Sequence, residues 1–175
     1  PAQIFGELLT LIEASKRNLK EAIKLCYPNS EGLHKPVYVP SNLYIIGTMN
    51  VADRSLALVD MAFRRRFAFI NLEPNLNKTW KDFVINKLDM DPSVADYIQS
   101  VIVNLNSQIS SDSRLGKDFQ IGHSFFTPNE TLKNKDSKKW FVEMVESEIA
   151  PLLQEYWFDS LEEADKAVEN LLANL

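Results

Sequence analysis

The sequence is poor in cysteine, histidine and glycine, and each shortage excludes a class of site. The single cysteine, Cys26, rules out an internal disulfide and fits a reducing compartment such as the cytoplasm. The two histidines are far apart in the sequence, so we expect no metal centre built on them. None of the five glycines begins the phosphate-binding pattern G-x-x-x-x-G-K-S/T, and we therefore expect the isolated chain to be inactive as a triphosphatase.

Long apolar runs are missing as well. No run reaches the roughly 20 residues that a membrane-spanning helix needs, and no charged-then-apolar leader is present. With 175 residues, 45% of them hydrophobic, the chain can bury the core of one or two small domains. We expect a soluble, cytoplasmic protein. Because the chain begins with Pro1 rather than methionine, we also expect it to be a piece of a longer protein.

Negative charge is concentrated in the second half of the chain. Residues 1–90 carry a net charge of +3, whereas residues 91–175 carry −8. The acidic half is a poor surface for nucleic acid. In the first half, the positive charge is densest in three consecutive arginines at 64–66, a cluster too small to follow DNA but suited to a single phosphate group.

The stretch at residues 43–72 organises the chain. Residues 43–46 form an apolar, β-favouring run that Gly47 ends, which predicts a strand buried on both faces in an α/β sheet. A short helix is predicted from Ser55, and the alternation at 67–72 predicts a second, mostly buried strand. Since ligands bind beyond the carboxyl ends of such strands, the polar residues after Gly47 are candidate site residues.

Three segments carry a family resemblance. GTMNVADRSLALVDMAFRRRF, at 47–67, resembles the sensor region of the AAA+ nucleoside triphosphatases, specifically the McrB branch, with Val51 replacing the threonine of an MNTADR signature. RLGKDFQIGHSFF, at 114–126, resembles the GKxFxIGHSYF segment of that family's small helical lid. FGELLTLIEASKR, at 5–17, is similar to the helix that follows the Walker B motif, so the chain is expected to begin just after that motif.

The resemblance implies an active centre that is completed between subunits. Phosphoryl transfer needs a polar group to orient water and cations to stabilise the charge on the transferring oxygens. Asn50 would orient the water, although an Asx turn is the alternative role for it. Arg64 and Arg65 would act as arginine fingers in a neighbouring subunit, and Arg66 is taken as the arginine that forms only an ion pair. The other candidates are Asp53 as a catalytic residue or helix cap, Arg54 as a nucleotide-binding or loop-pairing residue, and His123 as a nucleotide-binding or buried structural residue.

The rest of the chain shows mainly helical periodicity. An amphipathic helix is predicted at residues 1–15, and a β-hairpin is predicted with arms at 22–27 and 36–39. Beyond Pro74, apolar residues at helical spacing predict helices at 80–88, 94–109, 140–152 and 161–172. Pro151 should mark a kink or boundary, and the lysine-rich residues 133–139 a solvated turn.

These features predict a predominantly helical chain with two parts. Residues 1–74 would be an α/β fragment of an AAA+ nucleotide-binding domain, containing its last strands and the β-hairpin. Residues 75–175 would be an all-α helical lid.

By the same resemblance, the intact protein would bind GTP, or ATP, with Mg²⁺ and associate into a ring, expected to be a hexamer. It would drive an McrC-type nuclease subunit, bind DNA through domains that this chain lacks, and involve no membrane. Two alternatives remain open: a non-enzymatic helical docking module with a closed, monomeric core, and an ATP-dependent MoxR-like chaperone with differently lettered motifs. The McrB-type interpretation predicts instead that apolar strand edges are left uncovered.

Overall fold

The chain divides into two compact units, Pro1–Asn71 and Leu72–Leu175. The structure is a computed structural model, and it describes residues 6–24, 35–49, 65–173 and 175. None of the helices in these ranges is both long enough and apolar enough to cross a membrane.

The first unit begins with short helical segments rather than one long helix. Helix α1 covers Leu8–Leu11 and is followed by two 3₁₀ turns, Ala14–Lys16 and Leu19–Glu21. The helix predicted at 1–15 is therefore shorter in its described part. Glu13 ends it locally, because a ψ of 135° takes its backbone out of the helical region.

The predicted strands are not formed in the described residues. Ile23 and Val37 make a single antiparallel bridge between the predicted hairpin arms, with N–O distances of 3.0 and 2.8 Å, and the hairpin tip lies outside the described residues. Within the described part of the chain, the runs at 43–47 and 67–72 form no strand. The predicted burial of their side chains is wrong, because all of these residues except the half-buried Phe67 are exposed. Tyr44, Ile46 and Ile70 are 86%, 93% and 83% exposed. A strand needs a neighbour to satisfy its backbone, and no described segment pairs with these runs.

The second unit is helical, as predicted. Its helices are α2 (Lys78–Leu88), α3 (Pro92–Ser111), α4 (Ser137–Met144), α5 (Ala150–Tyr156) and α6 (Leu161–Leu172), with a 3₁₀ turn at Lys117–Phe119. Asparagine and aspartate side chains accept backbone N–H bonds at the starts of α2, α3 and α4, and satisfy donors that a helix leaves unpaired.

Helix α3 lies at the centre of the core of this unit. Its Ala95, Ile98, Ile102 and Ile109 are fully buried, at the spacing that the sequence predicted. Tyr97, on the same helix, meets Phe141 of α4 edge to face and donates its hydroxyl to the carbonyl of Leu171 in α6, at 3.0 Å. The other large side chains that are completely buried include Phe126, Phe141, Leu153 and Trp157.

Pro151 lies just after a change of helix pitch. Between α4 and α5, residues Val145–Ile149 form a π-helical turn, and the N–H of Ala150 donates to the carbonyl of Val145, five residues back. Proline has no N–H and its ring crowds the carbonyl four residues earlier, here that of Ser147. The wider turn relieves this conflict, so the predicted kink takes the form of a π-turn in a continuous helical rod.

The segment 114–126 is fixed to α3 by one buried amide. Asn106 is 6% exposed; its Nδ2 donates to the carbonyl of Ile121 at 3.0 Å and its Oδ1 accepts from the N–H of Ile121 at 2.7 Å. Ile121 is itself buried. One side chain thus satisfies both backbone groups of a residue that water does not reach.

A cluster of charges joins the loop after α3 to the start of α6 and the loop before it. Arg114 pairs with Asp112, Asp159 and Glu163 at 2.8, 3.0 and 2.7 Å. Asp112 also accepts a hydrogen bond from the indole N–H of the buried Trp157, at 2.8 Å. The Arg114 side chain first, and this indole second, hold the pKa of Asp112 well below its usual range.

We predict that Asn106→Ala destabilises the second unit by about 2–4 kcal/mol, because the buried N–H and C=O of Ile121 both lose their partner. Chemical denaturation measures the change. Asn104→Ala, an exposed position on the same helix, is the matched control and should change stability by less than about 0.5 kcal/mol. Equal losses in the two variants would contradict the role given to Asn106.

We predict that Asp112→Asn lowers the Tm at pH 7, and that the difference from wild type shrinks as the medium becomes acidic. The pKa of Asp112 is depressed in the folded state, so its stabilising effect is present above the unfolded-state pKa of an aspartate, about 3.9. The effect is lost as the pH falls through the lower folded-state value. Thermal melts between pH 7 and pH 2 test this, with the exposed Asp165→Asn as control; a constant difference would refute it.

Candidate functional site

The candidate site residues are described only in part. Arg65 and His123 lie in the described ranges. The other four, and the short helix predicted from Ser55, lie outside the described residues, so their roles stay predictions: Asn50, Asp53, Arg54 and Arg64.

The two described arginines of the triplet differ in environment. Arg65 is exposed in a turn. The side chain of Arg66 is only 14% exposed, and its guanidinium pairs with Glu13. An ion pair was the role expected of one arginine in the triplet, and Arg66 makes one. Of these two arginines, Arg65 is therefore the one that is exposed to solvent and suited to contact another molecule.

Arg17 holds the approach to the asparagine loop. Its guanidinium donates to two backbone carbonyls, that of Pro40 at 2.6 Å and that of Leu43. These carbonyls lie at the start of the apolar run that leads to Asn50. The guanidinium of Arg17 thereby holds the backbone at Pro40 and Leu43, just before the sensor-like segment at 47–67.

Glu13 and Arg17 tie both flanks of the motif to one short segment. They lie on either side of the 3₁₀ turn Ala14–Lys16, one binding the residue that follows Arg65 and the other binding the residues that precede Asn50. Sequence analysis missed both residues, because the N-terminal helix was interpreted only as a packing element. Their opposite charges at a spacing of four residues were the signal available.

His123 is exposed, so the alternative of a buried histidine is wrong. It is hydrogen-bonded all the same: its Nδ1 accepts from the backbone N–H of Asn75, at 3.2 Å. Its own carbonyl accepts from the Thr127 hydroxyl at 2.8 Å. Because Nδ1 is the acceptor, the ring proton lies on Nε2, which makes that atom a donor suited to an anion.

A groove runs beside the lid segment that carries His123. It has a volume of about 410 Å³ and lies between residues 124–129 and the π-turn region. Phe125 and Trp140 supply apolar surface, whereas Glu143 and Glu148 supply negative charge. Carboxylates repel phosphate, so this groove is not a suitable place for the triphosphate of a nucleotide.

The described residues supply anion-binding groups but not a complete nucleotide site. Arg65 and the Nε2 atom of His123 are suited to phosphate oxygens. No group of three or more histidine, cysteine or acidic residues in the described ranges is placed to hold a metal ion. By themselves, these residues do not fit a magnesium nucleotide.

Comparison with known proteins separates the two halves of the chain. Residues 1–67 match the profile of the AAA domain (dynein-related subfamily), and residues 97–165 match that of the McrB alpha-helical lid domain. The chain is 41% identical over 175 residues to the type IV methyl-directed restriction enzyme EcoKMcrB subunit of Escherichia coli (strain K12). That alignment covers 99% of this chain and 38% of the relative, so the chain spans well under half of the relative's length.

The lid match contains the α3 anchor Asn106, the lid histidine His123 and the π-turn, and the AAA match ends one residue after the arginine triplet. The residues that suggested the resemblance thus fall inside the matched ranges. With an AAA-domain segment, an McrB lid and this identity along nearly all of its length, the chain belongs to the McrB-type branch of the AAA+ proteins.

Proposed function

We propose that this chain is part of a GTP-hydrolysing AAA+ motor of a modification-dependent DNA restriction system. The observation that carries the proposal is the 41% identity, over 99% of the chain, to a subunit of a methyl-directed restriction enzyme. The intact protein assembles into a ring, taken to be a hexamer, works with an McrC-type nuclease subunit and binds DNA through other domains. It acts in the cytoplasm.

In this proposal the chain supplies half of each hydrolytic site. Asn50 orients the attacking water through its side-chain amide, which acts without changing its protonation state. Asp53 and Arg54 hold the loop and its contacts to the nucleotide. Magnesium, when bound with the nucleotide, neutralises charge on the phosphate oxygens. The phosphate-binding loop is not in this sequence, so the 175 residues alone are inactive.

Arg64 and Arg65 complete the site of the neighbouring subunit. The planar guanidinium donates two parallel hydrogen bonds and keeps its charge, so it stabilises the negative charge that spreads over the transferring phosphoryl group. The exposure of Arg65 and the pairing of Arg66 with Glu13 support this division of roles. Arg66 holds the triplet in place, so the side chain of Arg65 can reach another subunit.

Exposed apolar residues favour this function over a stand-alone docking module. A self-contained module would cover its apolar runs, but Tyr44 and Ile46 are 86% and 93% exposed. Neighbouring strands of a complete AAA+ domain would cover such a run. An ATP-dependent MoxR-like chaperone remains the second candidate, distinguished by measuring hydrolysis of GTP and ATP side by side.

We predict that Asn50→Ala in the full-length protein lowers GTP turnover about a hundredfold or more while GTP affinity changes by less than about twofold, because the amide acts on the water and not on the bound nucleotide. Turnover and equilibrium binding measure the two effects. Val51→Thr, which restores the letter usual in the family, is the control and should retain wild-type turnover. A matched loss of affinity in Asn50→Ala would show that it holds nucleotide instead.

We predict that mixing two inactive full-length variants, Asn50→Ala and Arg65→Ala, restores GTP turnover. A site in the mixed ring works when an Arg65→Ala subunit, with its own asparagine intact, receives the arginine of an Asn50→Ala neighbour. Random mixing at equal amounts gives about one quarter of the sites this arrangement. Arg64→Ala, tested in the same way, identifies which arginine acts.

The control for the mixing experiment replaces the Arg65→Ala subunit with one that carries Asn50→Ala and Arg65→Ala together. No site in that mixture keeps an intact Asn50, so turnover should not return. If neither the Arg64→Ala nor the Arg65→Ala mixture regains activity, the arginines do not act between subunits.

A further inference from the structure

The second unit begins with three residues, 72–74, that differ from the residues after them in their hydrogen bonding. Leu72 is 87% exposed, and the backbone of residues 72–74 has no hydrogen-bond partner among the described residues. From Asn75 onward the segment is bound: the N–H of Asn75 donates to His123, and the carbonyl of Leu76 accepts from Gln99 at 2.5 Å. The change from unattached to attached chain falls at the hydrogen bond to His123.

Together with two others, this hydrogen bond forms a closed circuit between residues 75–80 and residues 123–127. The indole N–H of Trp80, near the start of α2, donates to the Thr127 hydroxyl at 3.1 Å, and that hydroxyl donates to the carbonyl of His123 at 2.8 Å. The imidazole then accepts from Asn75, which lies five residues before Trp80. The loop from 75 to 80 is thereby attached to the lid segment at both ends.

The lid end of this circuit is firmly held. Asn106 binds both backbone groups of Ile121, two residues before His123, and Phe126 is completely buried three residues after it. The backbone of His123 is therefore fixed, and its side chain binds Asn75. Residues 72–74, just before Asn75, make no hydrogen bond to other described residues. A group in that position determines where the rigid part of the lid begins.

We propose that His123 is a positioning residue of the motor, and that its Nδ1 atom extends the rigid lid to Asn75, so that bending between the two units is confined to residues 72–74. The proposal rests on the proposed function and adds that the lid moves as the motor hydrolyses its nucleotide. A short joint transmits a small displacement at the nucleotide as a defined rotation, whereas a longer joint absorbs it. Loss of the hydrogen bond lengthens the joint and weakens this transmission.

Two conservative variants separate this role from direct nucleotide binding. The side-chain carbonyl of asparagine reaches the position of Nδ1, whereas that of glutamine reaches the position of Nε2. His123→Asn therefore keeps the acceptor for Asn75, and His123→Gln removes it while keeping a polar group toward solvent. Asn75→Pro deletes the N–H donor and leaves the imidazole untouched.

The test measures amide hydrogen exchange at Asn75 in the full-length protein without nucleotide, together with GTP affinity and turnover. We expect exchange to be about fivefold or more faster in His123→Ala and His123→Gln, and close to wild type in His123→Asn. In the two fast-exchanging variants and in Asn75→Pro, turnover falls severalfold while GTP affinity stays within about twofold. Ser124→Ala, an exposed neighbour, is the matched control and should change none of these three quantities.

Unchanged exchange at Asn75 in His123→Ala overturns the inference. So does a loss of GTP affinity that is equal in His123→Asn and His123→Ala, since the imidazole would then act on the nucleotide through Nε2. If His123→Ala folds poorly, Asn75→Pro decides the matter, because wild-type turnover in that variant refutes the role of the bond. The exchange measurement needs no nucleotide, so it gives the same answer even if the mixing experiment disproves the proposed motor.

Discussion

The side-chain amide of Asn106 is the contact on which the lid depends most. A core of isoleucine, leucine and phenylalanine makes the helices pack together, but it does not determine which residues of the 114–126 segment contact α3. The two hydrogen bonds from Asn106 to Ile121 fix this register, because shifting the segment by one residue would leave a buried donor and a buried acceptor unpaired. Asn106, together with the buried side chains of Ile121 and Phe126, therefore determines the position of His123 and of its partner Asn75.

The first unit uses charge for a similar purpose. Its described residues contain few fully buried side chains, and the apolar run at 43–46 is largely exposed. Arg17 and Glu13 supply what packing does not: Arg17 binds the carbonyls of Pro40 and Leu43, and Glu13 binds Arg66, the last arginine of the triplet. Two stretches of chain that are both bound to one short segment keep a constant relation to each other.

The sequence predicted the lid better than it predicted the first unit, for a physical reason. Helical hydrogen bonds are local, so the spacing of Val94, Ile98 and Ile109 was enough to indicate α3. The bonds of a strand are made with other segments, so the apolar runs at 43–47 and 67–72 could be recognised from the sequence but their pairing could not, and no strand ladder forms among the described residues. Motif lettering indicated Arg65 and His123, whereas Asn106, Glu13 and Arg17 became visible only through the contacts that they make.

The π-turn at Val145–Ile149 links the length of the rod from Ser137 to Tyr156 to the presence of Pro151. In an α-helix each residue advances the side chains by about 100° around the axis, and a π-turn holds one residue more than the α pitch requires. Deleting that residue would return the rod to the α pitch with Leu153 and Trp157 still facing the core, but it would restore the conflict between Pro151 and the carbonyl four residues before it. A related lid that lacks the extra residue should therefore lack the proline as well.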